Sequence, residues 1–416
     1  MRTRNASFSG FAVAVVSMLC SATPAAAQQP TGPVVKLGEG VTLTISGFVN
    51  ASFFWDRNLF GNFGQGQNAE YAAAPSTYPT GKIINDGDVR NTRINFTFSG
   101  PAVGGTWTPK ATLEADFFGA FNGVPPFGDE QPQFRIRFAF IDLTNGRTTL
   151  RIGQYWSPMF GETGVSLTHI AFPLGYGAAG DVGWRYPGIF LYHDLSSGKS
   201  LNVQLQLAAF KGSGAPAPGP GGALAAPVGT GEASGVPQFE ARLNVGKRGA
   251  NMSWSGYVVG HVDWKDTTGV GSGTNLTCTG VEFGGSVAPG RFTLHGNVYY
   301  GRGIGQQFAF ITQAGSATAP GTVDVRGWGA WAQAGYDFNP HWGVWAFYGM
   351  DQPDYARFAT DGHGALPRQL NHDADALIRY RSGHYAVGLE FFRSVTRWNT
   401  GITSADQLAI STLFTL

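Results

Sequence analysis

Six charged side chains stand at alternating positions within otherwise apolar stretches: Arg93, Glu114, Asp116, Arg135, Arg137 and Arg151, separated by residues such as Ile94, Leu113, Ile136 and Ile152. If the aliphatic positions face lipid, all six charges face water. An arginine on the lipid side at mid-membrane costs about 2 to 4 kcal/mol, so the opposite register is disfavoured. Arginine outnumbers lysine by 21 to 7, and a planar guanidinium fork matches a carboxylate or a phosphate better than a point charge does. Such a row could attract small anions and pass them from one arginine to the next. Alternatively, Glu114 and Asp116 could neutralise Arg135, Arg137 and Arg151 into a mixed-charge wall. Further inward candidates by the same alternation are Arg242, Arg291, His295, Arg379 and Arg381.

Other chemistries find little support. The eight histidines are scattered, and the sequence has no G-x-S-x-G elbow, no HExxH and no metal-spaced cysteine pair, so no catalytic residue, metal ligand or cofactor site is expected. Asp373 and Asp375 beside His372 read as solvated charge in an outer loop. A formal charge of +1 gives no basic footprint for nucleic acid.

The elements that position these side chains follow from period-two alternation, seen in Val41-Leu43-Ile45, Ile94-Phe96-Phe98 and Leu201-Val203-Leu205-Leu207. The opposite face carries Thr, Asn, Gln, Ser and Arg more than the Lys and Glu of a soluble sandwich, and only 13% of residues are charged. About sixteen such segments can be marked between 41 and 415, and their connections alternate short and long. Short ones carry turn chemistry, as in Asn145-Gly146 and Ala288-Pro289-Gly290; long ones include Trp156 to Val182 and Lys211 to Pro237. This predicts an all-β transmembrane antiparallel barrel of about sixteen strands, with short periplasmic turns and long extracellular loops; resemblance to general porins implies that one loop is folded into the lumen. Eight strands can be filled by their own side chains, whereas sixteen leave a water channel. Residues 1–27, with Arg2 and Arg4 ahead of a short apolar stretch and Ala25 to Ala27 before Gln28, read as a cleaved export signal. Residues 28–416 then form a single barrel domain in the bacterial outer membrane.

The runs LEADFFG (Leu113 to Gly119), FRIRFAF (Phe134 to Phe140) and RIGQYWSPMF (Arg151 to Phe160) resemble the N-terminal half of DcaP-like porins. That family carries an acidic strand ending in Phe-Gly, an Arg-x-Arg strand and a Gly-Gln-x-Trp-Ser strand in the same order. The resemblance implies a homotrimeric porin passing small organic anions such as dicarboxylates, with Arg135, Arg137 and Arg151 in the lumen. By resemblance to general porins, the long connection after the fifth strand is the constriction loop, and it holds Glu162, His169 and Asp181. The expected partners are small hydrophilic or anionic solutes and outer-membrane lipid. An outer-membrane enzyme or an adhesion barrel is the alternative.

Overall fold

The computed structural model describes residues 32–61, 66–77, 81–119, 132–197, 201–213, 229–266, 273–274, 276–313 and 325–416; the expected export signal lies outside them. The described residues form eighteen strands: β1 (Val34–Gly38), β2 (Val41–Arg57), β3 (Ile83–Asp88), β4 (Arg93–Ser99), β5 (Thr108–Asp116), β6 (Arg135–Asn145), β7 (Thr148–Trp156), β8 (Arg185–Ser197), β9 (Asn202–Phe210), β10 (Gln238–Lys247), β11 (Met252–Lys265), β12 (Leu276–Pro289), β13 (Phe292–Arg302), β14 (Arg326–Asp337), β15 (Trp342–Pro353), β16 (Arg368–Ser382), β17 (Tyr385–Trp398) and β18 (Gly401–Thr415). All lie in one antiparallel sheet, and β18 pairs with β2 from Asp406↔Arg57 to Thr415↔Phe48, so the sheet closes on itself.

β3 and β4 share one stave. Both pair with β2, β4 beside Thr42–Phe48 and β3 beside Ser52–Arg57, with a break at Val89–Thr92. β1 lies outside the ring, where it covers the part of β2 that extends past the end of β18. The barrel therefore has sixteen staves, each overlapping a segment marked by alternation. Closure lets backbone groups pair from stave to stave around the whole ring, as hydrocarbon requires.

The two faces separate cleanly. Along β10, Phe239, Ala241 and Leu243 point out while Gln238, Glu240, Arg242 and Asn244 are buried inside. Ile136, Ile152 and Ile189 are each about half exposed at 50–53%, too much apolar surface for a face meant to meet water. At the end bearing the short turns, Phe292 packs on Tyr336 at 4.6 Å and Trp342 on Tyr380 at 5.2 Å, an aromatic belt of the kind found at a membrane interface.

Two local expectations need correction. The last connection at the loop end is only Asn399–Thr400, because pairing continues through Trp398↔Gly401 and Trp398 Nε1 donates to Thr403 Oγ1 at 3.0 Å. His372, Asp373 and Asp375 are not in an outer loop, since β16 already starts at Arg368. Asp373 and Asp375 are buried inside the barrel, whereas His372 lies on the alternate face and bonds Tyr348 Oη at 2.7 Å.

Candidate functional site

Antiparallel pairing of β4, β5 and β6 brings five of the six singled-out charges together. Arg135 grips Asp116 through two bonds, Nε to Oδ1 at 2.9 Å and Nη2 to Oδ2 at 2.6 Å. Arg137 bridges both acids, donating to Glu114 Oε1 at 2.8 Å and to Asp116 Oδ2 at 2.9 Å. Arg93 approaches Glu114 Oε1 to 3.7 Å. Side-chain exposure ranks them: Arg93 keeps 17% and Arg135 15%, but Arg137 only 3%.

A β-bulge shapes this cluster. Glu114 pairs with Phe138 and Ala115 with Ile136, so Arg137 is the extra residue on β6. Beyond it the alternation changes phase, which turns Phe140 and Asp142 inward. Asp142 thereby meets Arg151, whose Nε and Nη2 donate to its two oxygens at 2.7 and 2.9 Å. The guanidinium lies 3.8 Å over Phe140 and 4.0 Å over Tyr155. Arg151 thus stands apart as a neutralised, stacked pair. Replacing Arg151 by Gln removes both hydrogen bonds to buried Asp142, leaving it only its cross-strand neighbour Lys110, and should cost up to about 3 to 5 kcal/mol of stability, with the anion-to-cation permeability ratio unchanged. Thermal unfolding in detergent and reversal potentials check the two halves; a large change in the ratio would place Arg151 on the solute path.

The connection from Ser157 to Trp184 enters the barrel and crosses it. Met159 N–H donates to Glu240 on β10 at 2.7 Å, and Val165 N–H to Gln333 on β14 at 2.6 Å. Leu167 and Thr168 N–H groups share Glu390 Oε2 on β17 at 3.1 and 3.0 Å. Asn50 on β2 and Asn297 on β13 donate to the carbonyls of Leu167 and Gly180 at 3.0 and 2.9 Å. Gly180 has φ of +94°, and a Cβ there would lie 2.5 Å from the Ala330 carbonyl carbon, so the loop can lie against β14 only with glycine at that point.

The three loop residues singled out from sequence lie at different points along this path. Glu162 accepts from Ser255 Oγ at 3.4 Å, and burial raises its pKa against the lowering pull of Arg242. His169 packs 4.8 Å from the Phe392 ring, where burial lowers its pKa and favours the neutral ring. Asp181 is buried at the far bend, and burial followed by the charge of Glu282 holds its pKa well above the usual range. Of the further candidates, Arg242 pins the loop by donating to the carbonyls of Pro158 and Phe160 at 2.8 and 3.1 Å. His295 bonds Gln333 at 2.9 Å, and Arg379 lies 5.6 Å over Trp345. Arg291 and Arg381 serve the turn at Phe338 to His341 instead.

Sequence reasoning missed several contributors. Arg185 is buried at the start of β8, its guanidinium carbon 4.9 Å from the Trp156 ring and 4.5 Å from the Trp184 ring. Gln67 and Gln307 bring two more loops inside, donating to Asn50 Oδ1 at 2.6 Å and to Gln238 Oε1 at 3.1 Å. The basic arc on β4–β8 contrasts with β15–β17, where Asp351, Asp373, Asp375 and Glu390 are buried, as is Arg379. Among the described residues no group of three or more metal-ligating side chains forms a metal site.

A closed sixteen-stave barrel, apolar outside and polar inside, with a loop lying across its lumen, defines the class of outer-membrane β-barrels. Solved structures share this fold. The outer membrane channel DcaP of Acinetobacter baumannii superposes with a TM-score of 0.66 at 16% identity, over 92% of this chain and 99% of that one. The anion-selective porin from Comamonas acidovorans gives 0.53 at 11% identity, over 90% and 100%. OprB of Pseudomonas putida gives 0.53 at 10% identity, over 89% and 94%. No protein-family model and no curated protein matches the sequence.

Proposed function

We propose that this chain is an outer-membrane porin, exported through a cleaved signal at residues 1–27 and assembled as a homotrimer, that passes small hydrophilic solutes and favours small organic anions. The observation that carries the reading is the charge balance of the basic arc. Arg93, Arg135, Arg137 and Arg185 gather around Glu114 and Asp116, four cations to two carboxylates, on a wall that also carries Lys110 and the paired Arg151 and Asp142. A like-charged lining raises the local concentration of counter-ions and biases passage towards them. Arg93 and Arg135, the more exposed pair, act as the contact points; Arg137, Glu114 and Asp116 hold them in place. Glu162, His169 and Asp181 act through the loop whose path they help to set. The DcaP-type fold and the anion selectivity named for the Comamonas porin agree with this assignment.

Liposome swelling with succinate, phosphate and neutral sugars of matched size tests it. Succinate should enter faster than a sugar of equal radius. Equal rates would remove the anion preference and leave a general diffusion channel.

A further inference from the structure

We propose that Arg185 forms an organic-carboxylate subsite at the stems of the loop that crosses the lumen. This rests on the channel reading above and names a residue and a ligand chemistry for it. Trp156 and Arg185 are cross-strand partners at the point where the loop leaves β7 and returns to β8, and Ser157 N–H closes the stem by donating to the Trp184 carbonyl at 2.8 Å. The Arg185 side chain is buried between the Trp156 and Trp184 rings, and its Nε and Nη1 have no hydrogen-bond acceptor among the described residues. The acids that could have neutralised it are already taken. Asp116 holds Arg135 and Arg137, and Glu114 holds Arg137 with Arg93 nearby.

A buried guanidinium is normally paired, because removing its hydration without a partner is unfavourable. Here its neighbours add to the demand for an anion. Arg137 lies over the same Trp156 ring at 5.8 Å, and Arg135 lies 5.4 Å over Phe172 of the loop. An oxyanion taken up beside Arg185 meets converging positive charge within walls made of indole and phenyl rings. Those apolar walls select among oxyanions. A monovalent carboxylate on an apolar body costs less to dehydrate than phosphate, which is more strongly hydrated and carries more charge, and its apolar body gains from the ring walls. The preferred ligand is a small organic carboxylate.

Single-channel recording of the full-length protein in planar bilayers tests this, with benzoate or inorganic phosphate titrated into chloride at constant ionic strength. Benzoate should reduce the chloride current saturably, with a lower half-blocking concentration than phosphate. Arg185→Gln should raise that concentration about tenfold, the loss expected when a charge-assisted contact is removed, and Arg185→Lys should raise it less. Arg393→Gln, on the outer face, should leave it unchanged. Should the Gln variant fail to insert, the Lys variant decides, and an unchanged half-blocking concentration in it overturns the subsite. Non-saturable benzoate block, or phosphate bound more tightly than benzoate, also overturns it while the channel reading survives. Absence of any conductance in the parent protein removes both.

Discussion

Excision of residues 158–183, with a short glycine linker between Ser157 and Trp184, should raise single-channel conductance, since this loop crosses the lumen and only the inner segments carrying Gln67 and Gln307 would then remain inside the sixteen-stave barrel. Two features make the deletion feasible. Its ends are already adjacent, with the Ser157 amide bonded to the Trp184 carbonyl at 2.8 Å. The wall groups that hold the loop, among them Asn50, Gln333 and Glu390, are polar side chains that water can satisfy once the loop is gone. The ladder that closes the ring runs from stave to stave and includes no residue of the loop, so ring closure does not depend on it. Conductance at the parent value in a correctly inserted variant would show that the loop does not bound the ion path.

Replacing Arg135 and Arg137 together by Gln should abolish the anion preference, moving the reversal potential in a salt gradient towards zero. The substitution removes two of the four cations gathered around Glu114 and Asp116, so these acids become balanced by Arg93 and Arg185 alone. It should also destabilise, by about 3 to 5 kcal/mol at buried Asp116, which loses both of its partners, and by less at Glu114, which keeps Arg93. Adding Glu114→Gln and Asp116→Asn separates the effects. The fourfold variant has no unpaired acid, so stability should return; it regains an excess of two positive charges from Arg93 and Arg185, so anion preference should return as well. Thermal unfolding alongside reversal potentials reads both. A selectivity ratio that follows neither change would exclude this arc as the filter.

The fold was legible because alternation is a strong signal when one face meets lipid and the other meets water, as along Phe239 to Val245. It failed where the period breaks. The extra residue at Arg137 shifts the phase of β6, which hid Asp142 as the partner of Arg151. The tight turn at Gly146–Arg147 offered another route, because counting outward from Asn145↔Thr148 pairs Asp142 with Arg151 directly. Arg185 was missed for a related reason. It has the parity of outward-facing Pro187 and Ile189, yet at the strand end it turns in under the loop stem. The inward loops carrying Gln67 and Gln307 left no periodic trace, since their placement depends on single amide bonds to distant strands. β1 is too short and too exposed for alternation to register.

The direct test of the account is the current that purified protein carries across a planar bilayer. A hollow sixteen-stave barrel should produce discrete, stable steps with a linear current-voltage relation, and the sign of its reversal potential in a potassium chloride gradient should indicate chloride preference. A detergent-solubilised, folded sample that inserts yet leaves the bilayer insulating would contradict it.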